Sequence, residues 1–213
     1  MRRLLLGTAL FLGCASGASA AVLTANTTAN NGGSPNWAMF FDLSADAGAL
    51  TVTDMTTAST ATAGSAFSVE IFTRTGSALG GPVASGPGSS TAGWTSLGTA
   101  NATQGPISND VSLSINIPDI SVPAGQVVGV AVLFTGAGPR YLGTGTPPLT
   151  TFDDGALKLV TGDARSVPFT TTGSFFTSRA MTGSLTYAAV PEPASLGALA
   201  LIALMSVRRR RSA

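Results

Sequence analysis

Residues 21–190 predict an all-β domain: an antiparallel two-sheet sandwich, jelly-roll-like, set between an N-terminal signal helix and a short C-terminal transmembrane helix. Three observations predict it. Lysine and glutamate, the good exposed helix formers, occur once each in that span, as Lys158 and Glu70. Glycine, serine and threonine supply 67 of its residues, the composition of a secreted all-β fold with many turns. Short segments of alternating apolar and polar residues recur between turn signals along its whole length. A span of about 170 residues suits one domain with a sizeable core.

The first twenty residues read as a secretory signal. Arg2 and Arg3 form a charged start, residues 4–12 an apolar stretch, and Ala18-Ser19-Ala20 a small-residue cleavage site, so the mature chain is expected to begin at Ala21. Cys14 raises the alternative of a lipoprotein signal, which is cleaved just before a cysteine. Phe11-Leu12-Gly13-Cys14 has neither a leucine three places before the cysteine nor a small residue two before it. Cys14 is therefore read as a filler of the signal helix, discarded with it.

The strands follow in order. Residues 24–36 are polar and turn-rich. Residues 39–43 and 50–55 read as strands flanking Ala45-Asp46-Ala47-Gly48, the frame of a hairpin. Residues 66–73 alternate, with Phe67, Val69 and Ile71 on one face and Ser68, Glu70 and Phe72 on the other. Residues 80–93 form a Gly/Pro/Ser-rich loop, expected to be mobile. A strand resumes at 94–100. Val111, Leu113, Ile115 and Ile117 alternate with polar neighbours as a half-buried strand, and Pro123-Ala124-Gly125 turns into 126–134, whose nearly continuous apolar run marks a central strand. Shorter strands are expected at 140–142, 156–160 and 181–187, making about nine in all. No internal repeat is visible.

Charge excludes one class of partner and residue counts exclude several sites. Residues 21–190 carry five basic and nine acidic side chains, a net of −4, so the +1 of the whole chain belongs to its ends. No basic patch is left in the domain to hold a phosphate backbone, which argues against nucleic acid. The domain has no cysteine and no histidine, which excludes a disulfide, a Cys/His zinc site and a Ser-His-Asp or Cys-His arrangement.

The last stretch is built differently. Pro191-Glu192-Pro193 precedes an apolar run over 194–207 and four arginines, Arg208, Arg209, Arg210 and Arg211. Proline fixes its own φ and biases the residue before it to an extended conformation, which leaves this segment accessible. As a helix the apolar run is about 21 Å long, short for a hydrocarbon core of about 30 Å. Arginines snorkelling into the headgroups extend it, and the cluster places the C-terminus in the cytoplasm. The competing reading, a buried amphipathic helix, conflicts with the lack of a polar face and with the four terminal charges.

This order of tripeptide, apolar helix and arginine cluster at the extreme C-terminus, over about residues 190–211, resembles the PEP-CTERM sorting signal. The resemblance implies secretion through the export machinery and signal peptidase, a membrane-anchored intermediate, and cleavage near Pro191-Glu192-Pro193 by an exosortase. It implies a Gram-negative-type bacterium and a final place outside the cell, often in exopolysaccharide. The 190–213 segment would be substrate, not catalyst. The mature chain is also similar to exported β-sandwich domains of no assigned activity that accompany such tails. That likeness rests on Met39-Phe40-Phe41-Asp42-Leu43, Trp94-Thr95-Ser96-Leu97-Gly98, the turn over 123–129, Gly162-Asp163 and the strand over 183–187.

Candidate sites are few. Asp153-Asp154-Gly155, with Asp163 or backbone carbonyls, offers oxygen ligands to calcium, but calcium takes six to eight oxygens and no D-x-D-x-D-G spacing is present. A plain Asp-Gly turn explains the same residues. Asp42, Asp46 and Asp54 are weighed in the same way. Trp37, Trp94 and Tyr141 could stack on sugar rings; Trp94 reads as core, and Trp37 and Tyr141 as the glycan-binding candidates. Glycoside hydrolysis needs two carboxylates, yet Glu70 is the one glutamate of the domain and the aspartates fall in apparent turns. The expected role is therefore non-catalytic, as a surface or matrix protein, with a carbohydrate-binding module that recognises an exopolysaccharide as the alternative.

Overall fold

The computed structural model describes residues 19–143 and 150–191. Both segments predicted as helices, the signal and the C-terminal anchor, lie outside the described residues apart from their inner edges. No helix among the described residues is long and apolar enough to cross a membrane. The fold is all-β, and among the described residues every strand-to-strand pairing is antiparallel.

A four-stranded sheet has the order β1 (Ala21–Thr24), β14 (Gly183–Ala189), β4 (Leu50–Thr57), β7 (Ile115–Val122). A larger sheet runs β10 (Thr150–Asp153), β11 (Leu157–Arg165), β3 (Ala38–Ala45), β8 (Val127–Thr135), β5 (Ala66–Thr75), β6 (Thr95–Thr103), with β12 (Phe175–Phe176) paired to the far end of β11. The third sheet, β13 (Arg179–Met181), β9 (Arg140–Gly143) and β2 (Asn31–Gly32), is small. It is an addition to the two expected layers, and its strands are too short to show a period of two.

One apolar core lies between the two main sheets. Met39, Phe41 and Leu43 of β3, Val130, Val132 and Phe134 of β8, and Phe67, Val69 and Ile71 of β5 face Val52 and Met55 of β4, Ile115 and Ile120 of β7, and Leu185 of β14. Each such side chain contributes roughly 1.5–3 kcal/mol by leaving water. The alternation predicted for β5 and the central place predicted for β8 both hold. The continuous apolar runs of β3 and β8 have a cause: their second face is buried too. Ala38 and Phe40 of β3 and Ala131 of β8 form a second cluster on the outer side of the large sheet, with Phe72, Leu79, Trp94, Leu133 and Phe169 packed against it.

Four local expectations change. Residues 39–43 and 50–55 are not a hairpin, because β3 and β4 belong to different sheets and the chain crosses between them. The strand predicted from Val111 begins at Ile115, and Leu113 is 54% exposed. It runs on through Pro118, which an edge strand tolerates, and a register shift opposite Val52 and Asp54 resets which residues face inward. Trp94 precedes its strand instead of opening it. Finally, segment 80–93 is fastened to the outer face of the large sheet. The guanidinium of Arg165, itself 1% exposed, donates to the Val83 carbonyl at 2.8 Å, and Trp94 Nε1 donates to the Pro87 carbonyl at 3.0 Å. Gly88 is required there, since a Cβ would lie 2.7 Å from Arg165 Nε and 2.8 Å from the Phe40 ring.

Strand directions give the body two distinct ends. Ala21 pairs with Tyr187 and Ala189 with Leu50, so the first residue of β1 and the last of β14 lie at one end. Val190 N–H donates to the Ala49 carbonyl at 2.9 Å, the last backbone contact before Pro191. At the opposite end Gln104, buried, ties the two main sheets: its amide donates to the Ile107 and Asp110 carbonyls and its oxygen accepts from Ser59.

Candidate functional site

The processing residues fall at the end where both termini emerge. Ala20 and Pro191 are exposed there. Ala18, Glu192, Pro193 and Arg208 to Arg211 lie outside the described residues.

The aromatic candidates separate at the other end. Trp37, just before β3, is half-buried and stacks on Phe176 with ring centroids 5.0 Å apart and planes 12° apart. Arg179 lies 5.6 Å from the Phe176 ring and 5.6 Å from the Tyr141 ring. The result is a ladder, Trp37, Phe176, Arg179, Tyr141, in which cation–π contacts fix the arginine. Tyr141 is 2% exposed. It presents no ring face to a sugar, which corrects its assignment as a glycan contact. It is buried because its side chain packs into the main apolar core. Trp37 keeps part of its surface in solvent. Phe176 and Arg179 were not singled out in the sequence. A two-residue strand and an arginine far from Trp37 in sequence give no local signal.

The acidic candidates do not converge either. Asp153 and Asp154 close the turn from β10 to β11. Asp153 accepts from Gly155 N–H at 2.8 Å and pairs with Lys158 at 3.2 Å. The Gly155 N–H, then Lys158, hold its carboxyl below the usual range. Asp154 accepts from the Ala156 and Leu157 N–H groups, and its other oxygen accepts from the Tyr187 hydroxyl at 2.8 Å. Burial pushes Asp154 up, but these hydrogen bonds outweigh it and the carboxyl ends below its usual range. Burial, then the Asp154 contact, pushes the Tyr187 hydroxyl up to about 12. Asp163 lies five residues beyond Lys158 on β11, about 16 Å along the strand, and its Oδ2 accepts from Gly80 N–H at 2.7 Å. The proposed calcium set of Asp153, Asp154 and Asp163 is thus split, because a whole strand separates the turn from Asp163. Among the described residues no three Asp, Glu, His or Cys side chains gather to hold an ion.

Asp42 lies in the strand read over 39–43, whereas Asp163, expected at a turn with Gly162, is also in a strand. Both are in mid-strand on the outer face of the large sheet, and both take their hydrogen bonds from segment 77–80. Asp42 accepts from Ala78 N–H at 2.6 Å and from the Ser77 hydroxyl at 2.5 Å. With Arg165 they clamp the 77–89 segment from its start to its middle.

No protein-family model matches the chain, and no curated protein matches it. The reading of its role therefore rests on its own residues.

Burial raises the carboxyls of Asp163 and Asp42, and the N–H and hydroxyl donors offset only part of it. A carboxyl raised on folding adds stability that is complete below its unfolded value and is lost as pH rises through the folded one. Asp163→Asn keeps an acceptor for Gly80 and cannot ionise. The variant is expected to gain stability relative to the parent between about pH 4 and pH 7. Urea unfolding at both pH values measures it. A difference that does not change with pH, or one that falls, overturns the assignment.

Proposed function

We propose that this chain is an exported cell-surface or extracellular-matrix protein. A PEP-CTERM tail sorts it, an exosortase cleaves it, and its mature jelly-roll-like sandwich has a non-catalytic structural or adhesive role. The observation that supports this most is the exit of the chain. Among the described residues the last strand ends at Ala189, the last backbone hydrogen bond is made by Val190, and Pro191 is already exposed. A cut at the Pro-Glu-Pro segment leaves every strand of the described residues intact. The amino end of the mature chain emerges beside it, so both processing events act at one end and leave the rest of the body free.

The test is the intact mass of the exported protein in its native host, for the parent and for a variant with Arg208 to Arg211 replaced by serine. The parent is expected to lack the arginines. Each arginine resists the hydrocarbon by about 2.5 kcal/mol or more at a helix centre, so four form a stop. The serine variant is expected to pass through the membrane and appear outside with its C-terminus attached. A parent mass that includes the arginines, or a variant held in the membrane as firmly as the parent, overturns the proposal.

The half-exposed Trp37, backed by Phe176, favours a second reading, a carbohydrate-binding module for an exopolysaccharide. Its aromatic surface is at the end opposite the tail, where a membrane-held intermediate would present it outward.

A further inference from the structure

We infer that the domain has a separate binding cleft at its tail-proximal end, built for one neutral, hydroxyl-rich ring such as a hexose residue of a polysaccharide. The cleft is an open groove of about 270 Å³ where the edges of both main sheets meet. Its polar lining is Thr73 and Thr75 from β5, Thr95 from β6, Ser121 from β7 and Gln126 from the turn before β8. Some surface hydroxyls are engaged within the protein: Thr56 with Ser184, Ser77 with Asp42, Ser96 with Glu70. Among the described residues these five side chains make no such bond and face the cleft unengaged.

The chemistry of the lining selects the ligand. Hydroxyls donate and accept, and a glutamine amide supplies two donors and an acceptor, so the set matches a ring whose own hydroxyls do both. Pro123 and Val127 add an apolar patch for its C–H face. Arg74 is the one charged lining residue, and its guanidinium is already placed over the Trp94 ring at 5.5 Å. That leaves neutral hydrogen bonding as the main recognition. The volume lies just below the roughly 300–1,000 Å³ of sites for drug-sized ligands and is enough for a single ring. The inference rests on the reading of a domain that works at a polysaccharide-bearing surface, and it places a sugar contact away from Trp37.

Isothermal titration tests it, on the full chain purified in a zwitterionic detergent with no sugar headgroup. The probes are maltose, cellobiose, lactose and digalacturonate. At least one neutral disaccharide is expected to bind with a Kd on the order of 1 mM. Thr95→Val combined with Gln126→Ala, both at exposed positions, is expected to weaken it about tenfold with the melting temperature unchanged. Four results overturn it: no heat from any neutral sugar at about 20 mM, binding indifferent to the double substitution, binding lost in Trp37→Ala, or binding confined to digalacturonate and lost in Arg74→Gln. A cleft that binds nothing leaves the mass of the processed protein as expected. A tail that is never removed leaves the titration unaffected, so the two failures are distinguishable.

Discussion

Ending the chain at Thr182 is expected to abolish folding, while ending it at Pro191 leaves the domain's melting temperature unchanged. Only nine residues separate the two stops, and they include all of β14. That strand lies between β1 and β4, so its loss removes two ladders at once. Leu185, fully buried, and Tyr187, 5% exposed, leave the core with it. Deleting two such side chains costs roughly 5–10 kcal/mol by large-to-small precedent, comparable with the whole stability of a domain, about 5–15 kcal/mol. β1 pairs with β14 alone and would have no partner. Past Ala189, by contrast, the described residues make one backbone bond, from Val190, and Pro191 adds none. Circular dichroism and thermal melts of both truncations decide the matter. A cooperative melt for the shorter chain would show that the four-stranded sheet closes without its C-terminal strand, and the proposed link between the processing point and the fold boundary would fail.

The strands that could be read in advance are those whose burial is written in a local period. β5 alternates because one face meets the core, and β8 is continuously apolar because both faces are covered. What could not be read depends on residues distant in sequence. β7 was placed four residues too early because Val111 and Leu113 continue the alternation of Ile115 and Ile117, while the register shift that decides the inward face belongs to its pairing with β4. The two-residue strands β2 and β12 carry no pattern of their own; their partners define them.

The same distinction applies to the candidate sites. Asp153-Asp154-Gly155 was legible as a turn, and it is one, with both carboxylates occupied by neighbours within five residues and by Tyr187. The roles of Asp42 and Asp163 were not legible because what they bind, the 77–80 segment, is 35 to 83 residues away along the chain. The cleft residues come from three strands and a turn, each an unremarkable threonine, serine or glutamine in sequence. Only their convergence sets them apart.

Replacing Arg165 by alanine is expected to be the most damaging single substitution outside the main core. The side chain is almost fully buried beneath a segment that sequence composition alone would leave loose. Its Nη1 donates to the Val83 carbonyl at 2.8 Å, and Nη2 reaches the Pro82 and Gly80 carbonyls at 3.4 and 3.5 Å. The guanidinium lies 5.1 Å from the Phe175 ring. Alanine removes the donors, leaves those carbonyls unpaired and opens a void against Phe40 and Gly88. A charged hydrogen bond is worth about 1.5–3 kcal/mol, so with the packing loss a cost of about 3 kcal/mol is expected. At 2–4 °C per kcal/mol for a domain of this size, the melting temperature should fall by about 6–12 °C. Lysine should rescue little, because a point charge cannot reproduce the planar fork. Limited proteolysis gives the local readout: release of the clamp should create new cuts between residues 79 and 90 before the domain unfolds. A variant that melts with the parent and shows no new cut there would mean that Asp42, Asp163 and the Trp94 contact hold the segment without it.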